Sequence, residues 1–106
     1  MHAHYCRAVV ACGESILITA SLGPRGGHSA VYRCPLDRPE DLVKCEEGLP
    51  EWFADNIDTG CLAARADVAA FGADGEVFMS HDAGASWTSL ASGLPDIQSI
   101  AILDAR

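Results

Sequence analysis

Val77-Phe78-Met79-Ser80-His81-Asp82-Ala83-Gly84-Ala85-Ser86-Trp87-Thr88-Ser89-Leu90-Ala91-Ser92-Gly93-Leu94-Pro95 is the stretch that decides how this chain is read. Two short, largely apolar runs flank a polar turn, and the whole ends on Gly-Leu-Pro, the pattern of two strands with turn signals around them. Gly48-Leu49-Pro50 closes an earlier stretch in the same way, 45 residues upstream. Val31-Tyr32-Arg33-Cys34-Pro35 matches Val77-Phe78-Met79-Ser80-His81, and Leu42-Val43-Lys44-Cys45 matches Trp87-Thr88-Ser89-Leu90. The two copies differ by one residue in the loop between these segments. A period near 45 residues suits a four-stranded sheet used as a repeat.

Working outward, the first copy is expected to hold strands over 5–11, 15–21, 29–34 and 42–46. Cys12-Gly13-Glu14 forms its first turn, and a Gly/Pro-rich loop covers 22–28. The second copy is expected over 59–64, 68–72, 76–80 and 86–90. Ala73-Asp74-Gly75 gives a hairpin signal between its middle strands. A ninth strand, 98–103, follows the second Gly-Leu-Pro. A helical turn opening at Pro39-Glu40-Asp41 competes for 39–45 but is too short to change the class. The expected fold is therefore all-β, with one unit over 5–50, a second over 51–95, and the start of a further unit over 96–106.

Ser80-His81-Asp82-Ala83-Gly84-Ala85-Ser86-Trp87 follows the pattern Ser-x-Asp-x-Gly-x-Ser/Thr-Trp. It resembles the Asp box, or bacterial neuraminidase repeat, of sialidase-like β-propellers, and the chain resembles that family from about Tyr5 to Leu103. The resemblance implies two four-stranded antiparallel propeller blades plus one extra strand, an incomplete β-propeller. It also implies that Ser80, Asp82, Gly84 and Trp87 serve the fold. Asp82 can accept hydrogen bonds from N–H groups of its own turn, Gly84 can take a positive φ, and Trp87 can bury a ring between sheets. The first copy carries a worn box. Cys34 stands for Ser, Leu36 or Asp37 for Asp, and Leu42 for Trp, with no glycine in the turn. Asp82 lacks the further acidic ligands at set spacing that a calcium loop needs, so no metal and no cofactor are expected.

Composition narrows the partners. The 106 residues carry 15 acidic against 7 basic side chains, a net charge of -8, and Lys44 is the one lysine. Phosphate binding by counterion release needs clustered Lys and Arg, so neither nucleic acid nor an anionic membrane is expected as partner. No apolar run is long enough for a spanning helix, and the N-terminus lacks a signal-peptide pattern. Five cysteines, Cys6, Cys12, Cys34, Cys45 and Cys61, are an odd set without C-x-x-C, which reads as buried thiols in a reducing compartment. The expected location is cytoplasmic. His2 and His4 form an H-x-H at the chain end, a poor metal site.

The catalytic machinery of sialidases, by the same resemblance, uses three arginines on a carboxylate, a tyrosine nucleophile paired with a glutamate, and an aspartic acid. Arg7, Arg25, Arg33, Arg38, Arg65 and Arg106 show no Arg-Ile-Pro signature, and Tyr5 and Tyr32 have no partner pattern. Shared repeats do not carry shared activity, and no catalytic residue is assigned. The most site-like stretch is 50–59. It offers Trp52, Asp55, Asn56 and Asp58 as a sugar or peptide platform, with Arg25 and His28 on the same face. The alternative is that Trp52 and Phe53 staple the two units together and Asp58 shapes the start of the next strand. The function expected is a non-enzymatic module giving a binding or scaffold surface, part of a larger propeller. Its partners would be itself or missing blades, and a carbohydrate or peptide. A fragment of a sialidase-like glycoside hydrolase and a lectin-like oligomeric propeller are the alternatives.

Overall fold

The computed structural model describes residues 5–21, 27–54, 57 and 61–93. They form eight strands and no helix: β1 (Tyr5–Cys12), β2 (Ser15–Ser21), β3 (Ala30–Pro35), β4 (Val43–Lys44), β5 (Leu62–Arg65), β6 (Val68–Ala73), β7 (Glu76–Ser80) and β8 (Thr88–Ala91). Each consecutive set of four is one antiparallel meander, β1-β2-β3-β4 and β5-β6-β7-β8. The fold is all-β, and the two sheets stand as propeller-like blades that do not close into a ring. The expected ninth strand at 98–103 lies outside the described residues.

The turns follow local chemistry. Gly13 (φ 57) opens the β1–β2 hairpin, and Asp74-Gly75 (φ 53 and 76) makes the two-residue β6–β7 turn, where both central residues need positive φ. The 39–45 segment is not helical. β4 is shorter than the expected 42–46 because the chain leaves the sheet after Lys44. Cys45 still donates to the Val31 carbonyl (2.8 Å), and Leu49 N–H then closes a turn on Glu46 (3.0 Å). β8 starts at Thr88 rather than Ser86 because two donors are diverted. Ser86 N–H goes to the Asp82 carboxylate (2.9 Å), and Trp87 N–H goes to the Glu47 carbonyl (3.0 Å).

Strand register shows that the sheets are copies. In the first, Val9 pairs with Ile18, Ile18 with Tyr32, and Tyr32 with Lys44. In the second, Leu62 pairs with Phe71, Phe71 with Phe78, and Phe78 with Ser89. These rows coincide position for position under the sequence match of 31–35 with 77–81. The hairpin tips repeat too: Leu36 N–H donates to the Glu14 carbonyl, as Ala83 N–H does to that of Asp67 (both 2.9 Å).

Because side chains alternate across a strand, each sheet has two faces. The first sheet turns Ala8, Val10, Cys12, Leu17 and Val31 toward the second. The second answers with Leu62, Ala69, Phe71 and Phe78, and together they form one core with Phe53 and Trp87. Thr19 Oγ1 donates across the joint to the Ile57 carbonyl (2.7 Å). So the aliphatic face of one sheet packs on the aromatic face of the next.

The Gly-Leu-Pro turn of the first sheet locks this joint. Gly48 has φ +82, and a Cβ there would run into the Trp87 carbonyl oxygen. Gly93, its counterpart, has φ +69, and among the described residues nothing lies within 4 Å of where its Cβ would stand. Gly93→Ala is therefore expected to cost only the left-handed strain, about 1–2 kcal/mol. Gly48→Ala adds a backbone collision and should cost clearly more. Urea unfolding of the two variants checks this; equal losses would mean that Gly48 is not a contact point.

Candidate functional site

Two groups of side chains were singled out by sequence, and they lie in different places. The first is the polar turn between β7 and β8. Ser80 is buried at the end of β7. Its hydroxyl donates to Asp82 Oδ1 (2.7 Å) and accepts from Gly84 N–H (2.9 Å). Asp82 Oδ1 also accepts from Ser86 N–H (2.9 Å), and Oδ2 accepts from the Ser86 hydroxyl (2.6 Å). Trp87 Nε1 donates to the Gly84 carbonyl (3.0 Å). Gly84 holds φ +90, and a Cβ there would meet Leu17 Cδ2 of the first sheet at 2.7 Å. The turn is thus tied to itself and pressed against its neighbour.

These bonds act on charge and on packing. The Ser86 hydroxyl, then that of Ser80, then Ser86 N–H hold the Asp82 carboxyl down at about 2. All three donors favour the ionised form. Trp87 is 4% exposed, and its ring meets Phe71 edge-on at 5.0 Å. Burial pushes the neighbouring Cys45 thiol up to about 11, so it stays protonated and inert. Cys12, Cys34 and Cys61 are also buried, Cys6 is exposed, and all five are free thiols. Among the described residues no group of three or more His, Cys, Asp or Glu could hold a metal ion.

The second group is the 50s segment. Phe53 and Ser29 exchange both backbone hydrogen bonds (2.9 Å each), and Gly27 N–H donates to the Ala54 carbonyl (2.8 Å). Trp52 and Phe53 therefore continue the first sheet beyond β4 and alternate in direction. Phe53 enters the inter-sheet core, edge-on to Phe71 and Phe78 at 5.5 Å. Trp52 points the other way, onto Ala20, Ala30 and Tyr32, beside Leu42. Of the two aromatics, only Phe53 staples the sheets.

Trp52 is half-buried and sits among cation-capable groups. The His28 ring meets it edge-on at 5.1 Å, and Lys44 Nζ lies 4.7 Å from its ring centroid. His28 is exposed, with φ 47, a left-handed position that few non-glycine residues adopt. The structure thus brings His28 and Trp52 together. Arg25, Asp55, Asn56 and Asp58 lie outside the described residues. Lys44 was not singled out by sequence. The signal was there, since the sole lysine falls opposite Tyr32 on β4, next to the place where Trp52 returns.

No protein-family model matches the chain, and no curated protein is significantly similar to it. Among the described residues no helix is long and apolar enough to cross a membrane.

Two outcomes follow for the turn. Trp87→Ala should cost roughly 3–5 kcal/mol, read by urea unfolding, a large share of the total stability of a domain this size. For Asp82 the folded pKa is depressed. Its contribution is complete above the unfolded value of about 4 and is lost as pH falls toward 2. Melting curves of wild type and Asp82→Asn should therefore converge across that window and stay a constant distance apart above it. A gap that is unchanged down to pH 2 would refute the assignment.

Proposed function

We propose that this chain is a non-enzymatic β-propeller repeat module of the Asp-box type, whose exposed surface around Trp52 binds a carbohydrate or a peptide. The carrying observation is the cluster itself. A half-buried indole with Lys44 over its ring and His28 at its edge lies on the outward face of the first sheet. A buried structural tryptophan has no need of a cation and an imidazole at the surface. Both neighbours can donate hydrogen bonds to hydroxyl, carbonyl or carboxylate oxygens, and the indole adds apolar contact area. Lys44 covers one face of the ring, so a ligand engages the rim of the cluster rather than stacking on an open plane.

Two further points support the reading. The hydrogen bonds of Ser80, Asp82, Gly84 and Trp87 satisfy the turn and place the indole in the core, a fold role that leaves no spare catalytic group there. Free thiols, four of them buried, suit a reducing location such as the cytoplasm.

Binding is tested by titrating a panel of neutral and acidic oligosaccharides and peptides against wild type, Trp52→Ala and Lys44→Ala. Saturable binding that Trp52→Ala abolishes and Lys44→Ala weakens is the expected result. Binding that survives Trp52→Ala would place the site elsewhere. Hydrolysis of a generic sialoside by the wild-type chain would overturn the non-enzymatic reading in favour of a glycosidase.

A further inference from the structure

The turn between β3 and β4 is built differently from the one between β7 and β8. In the second sheet the hydroxyls of Ser80 and Ser86 close on the Asp82 carboxylate. In the first, Leu36 or Asp37 stands for Asp82 and Asp41 for Ser86, so that exchange is lost. The connection closes through its backbone instead: Arg38 N–H donates to the Pro35 carbonyl (3.2 Å) and Asp41 N–H to that of Arg38 (3.0 Å). Beside it lies a cleft of about 190 Å³ lined by Arg33, Cys34, Pro35, Asp41 and Val43. Arg33 and Val43 are register partners, so their side chains stand together on one side of the sheet. Arg33 is half-buried, and its Cδ lies 3.7 Å from where a Gly84 Cβ would stand, so its stem runs along the polar turn of the second sheet. Carboxylates outnumber cations 15 to 7 in this chain, yet among the described residues the Arg33 guanidinium is in no ion pair. Asp41 is more than half exposed and is shared with Arg38 at 3.7 Å, so water and that arginine screen its charge more than burial lets water screen Arg33.

We propose that this cleft binds a small monocarboxylate with a short apolar tail. The Arg33 guanidinium is a planar fork of N–H donors that fits a carboxylate through two parallel hydrogen bonds. Pro35 and Val43, the latter 52% exposed, offer an apolar wall to the hydrocarbon part. The volume is below the roughly 300–1,000 Å³ usual for drug-sized ligands and holds about six water-sized groups at about 30 Å³ each, the size of a short-chain acid. Asp41 at the rim repels a second carboxylate, so a dicarboxylate is disfavoured. The net charge of -8 opposes any anion at long range, but salt screens it over about 10 Å at 0.1 M, and inside the cleft Arg33 decides. The site is separate from the one proposed at Trp52. Val43 and Lys44 are consecutive on β4 and point to opposite faces, and it is Lys44 that lies over the indole.

The test is a titration of the full chain, isotope-labelled, with isovalerate, followed by NMR through the backbone amides. Isoamyl alcohol, the same tail without the charge, and succinate, with a second carboxylate, are the matched probes. Isovalerate should give saturable shifts at Cys34, Asp41 and Val43, and both other probes should bind more weakly. Arg33→Met installs the residue type that Met79 supplies at the same register position of the second sheet. Affinity for isovalerate should then fall at least about tenfold, the loss expected for a charge-assisted hydrogen bond. Melting curves verify folding, and Arg33→Gln replaces Arg33→Met if that variant loses its transition. Absence of saturable shifts in wild type overturns the proposal. So does isoamyl alcohol or succinate binding as well as isovalerate, or an Arg33 variant that binds like wild type. Trp52→Ala should leave the isovalerate titration unchanged even where it abolishes carbohydrate or peptide binding. Loss of the isovalerate shifts in that folded variant would place the carboxylate at the indole and overturn the assignment to Arg33.

Discussion

Phe71 has no exposed surface, and the rings of Phe53, Phe78 and Trp87 all reach it, with centroids 5.5, 5.3 and 5.0 Å away. Those three rings come from different segments: the connection between the sheets, the neighbouring strand, and the residue after the polar turn. Their meeting point is the joint between the sheets. Each aromatic pair adds roughly 0.5–1.5 kcal/mol beyond its buried area, but geometry matters more here than the sum. A four-stranded sheet of some forty-five residues buries too little surface to stand alone. Only when Leu17 and Val31 of the first sheet close over Phe71 does the second sheet have a core, and the first gains more than its small Tyr32 cluster. The chain is therefore one cooperative unit whose stability resides in an interface.

The polar turn serves that interface from outside it. Asp82 is solvent-exposed, so its ionisation carries little desolvation cost. Its hydrogen bonds fix where Ser86 begins and hence where Trp87 points. Ser80, the buried last residue of β7, gathers Gly84 and Asp82 on a single hydroxyl. Trp87 then directs both of its N–H groups to fixed carbonyls, the backbone one to Glu47 of the first sheet and the indole one to Gly84. A turn that closes on itself thus delivers a ring to one sheet and a hydrogen bond to the other. The first copy has no such turn. Its Leu42 occupies the position of Trp87 and packs with Tyr32 and Trp52 in a smaller cluster, which the connection has to complete.

The β2, β6 and β7 segments could be read from sequence nearly to the residue, because alternation and the Asp-Gly turn act locally. The sheet assignment was legible through the repeat, which carries the register with it. Strand ends were less so. β4 stops at Lys44 because the chain turns out of the sheet toward Gly48, and β8 starts at Thr88 because Ser86 N–H serves its own turn and Trp87 N–H the Glu47 carbonyl; no local pattern reports that last bond. The fate of Trp52 and Phe53 was half legible. Two adjacent aromatics on an extended segment must point to opposite faces, but which ring enters the core depends on the pairing of Phe53 with Ser29. Lys44 escaped notice as a site residue because its partner, Trp52, returns to it only after the detour through Gly48.

The two sheets share a register but not a surface. The row Leu62–Phe71–Phe78 is built to be covered: it is bulky, apolar and almost wholly buried. The matching row Val9–Ile18–Tyr32 is slighter, and its outer end is polar, with Lys44 beside Tyr32. Trp52 already covers that outer half from within the chain, while Val9 and Ile18 are left uncovered at the inner half. Ile18 pairs directly with Tyr32, so the edge of the small Trp52 cluster runs along the β2–β3 pair, and the same side of the first sheet is closed by a single indole at one end and ends in an exposed valine at the other.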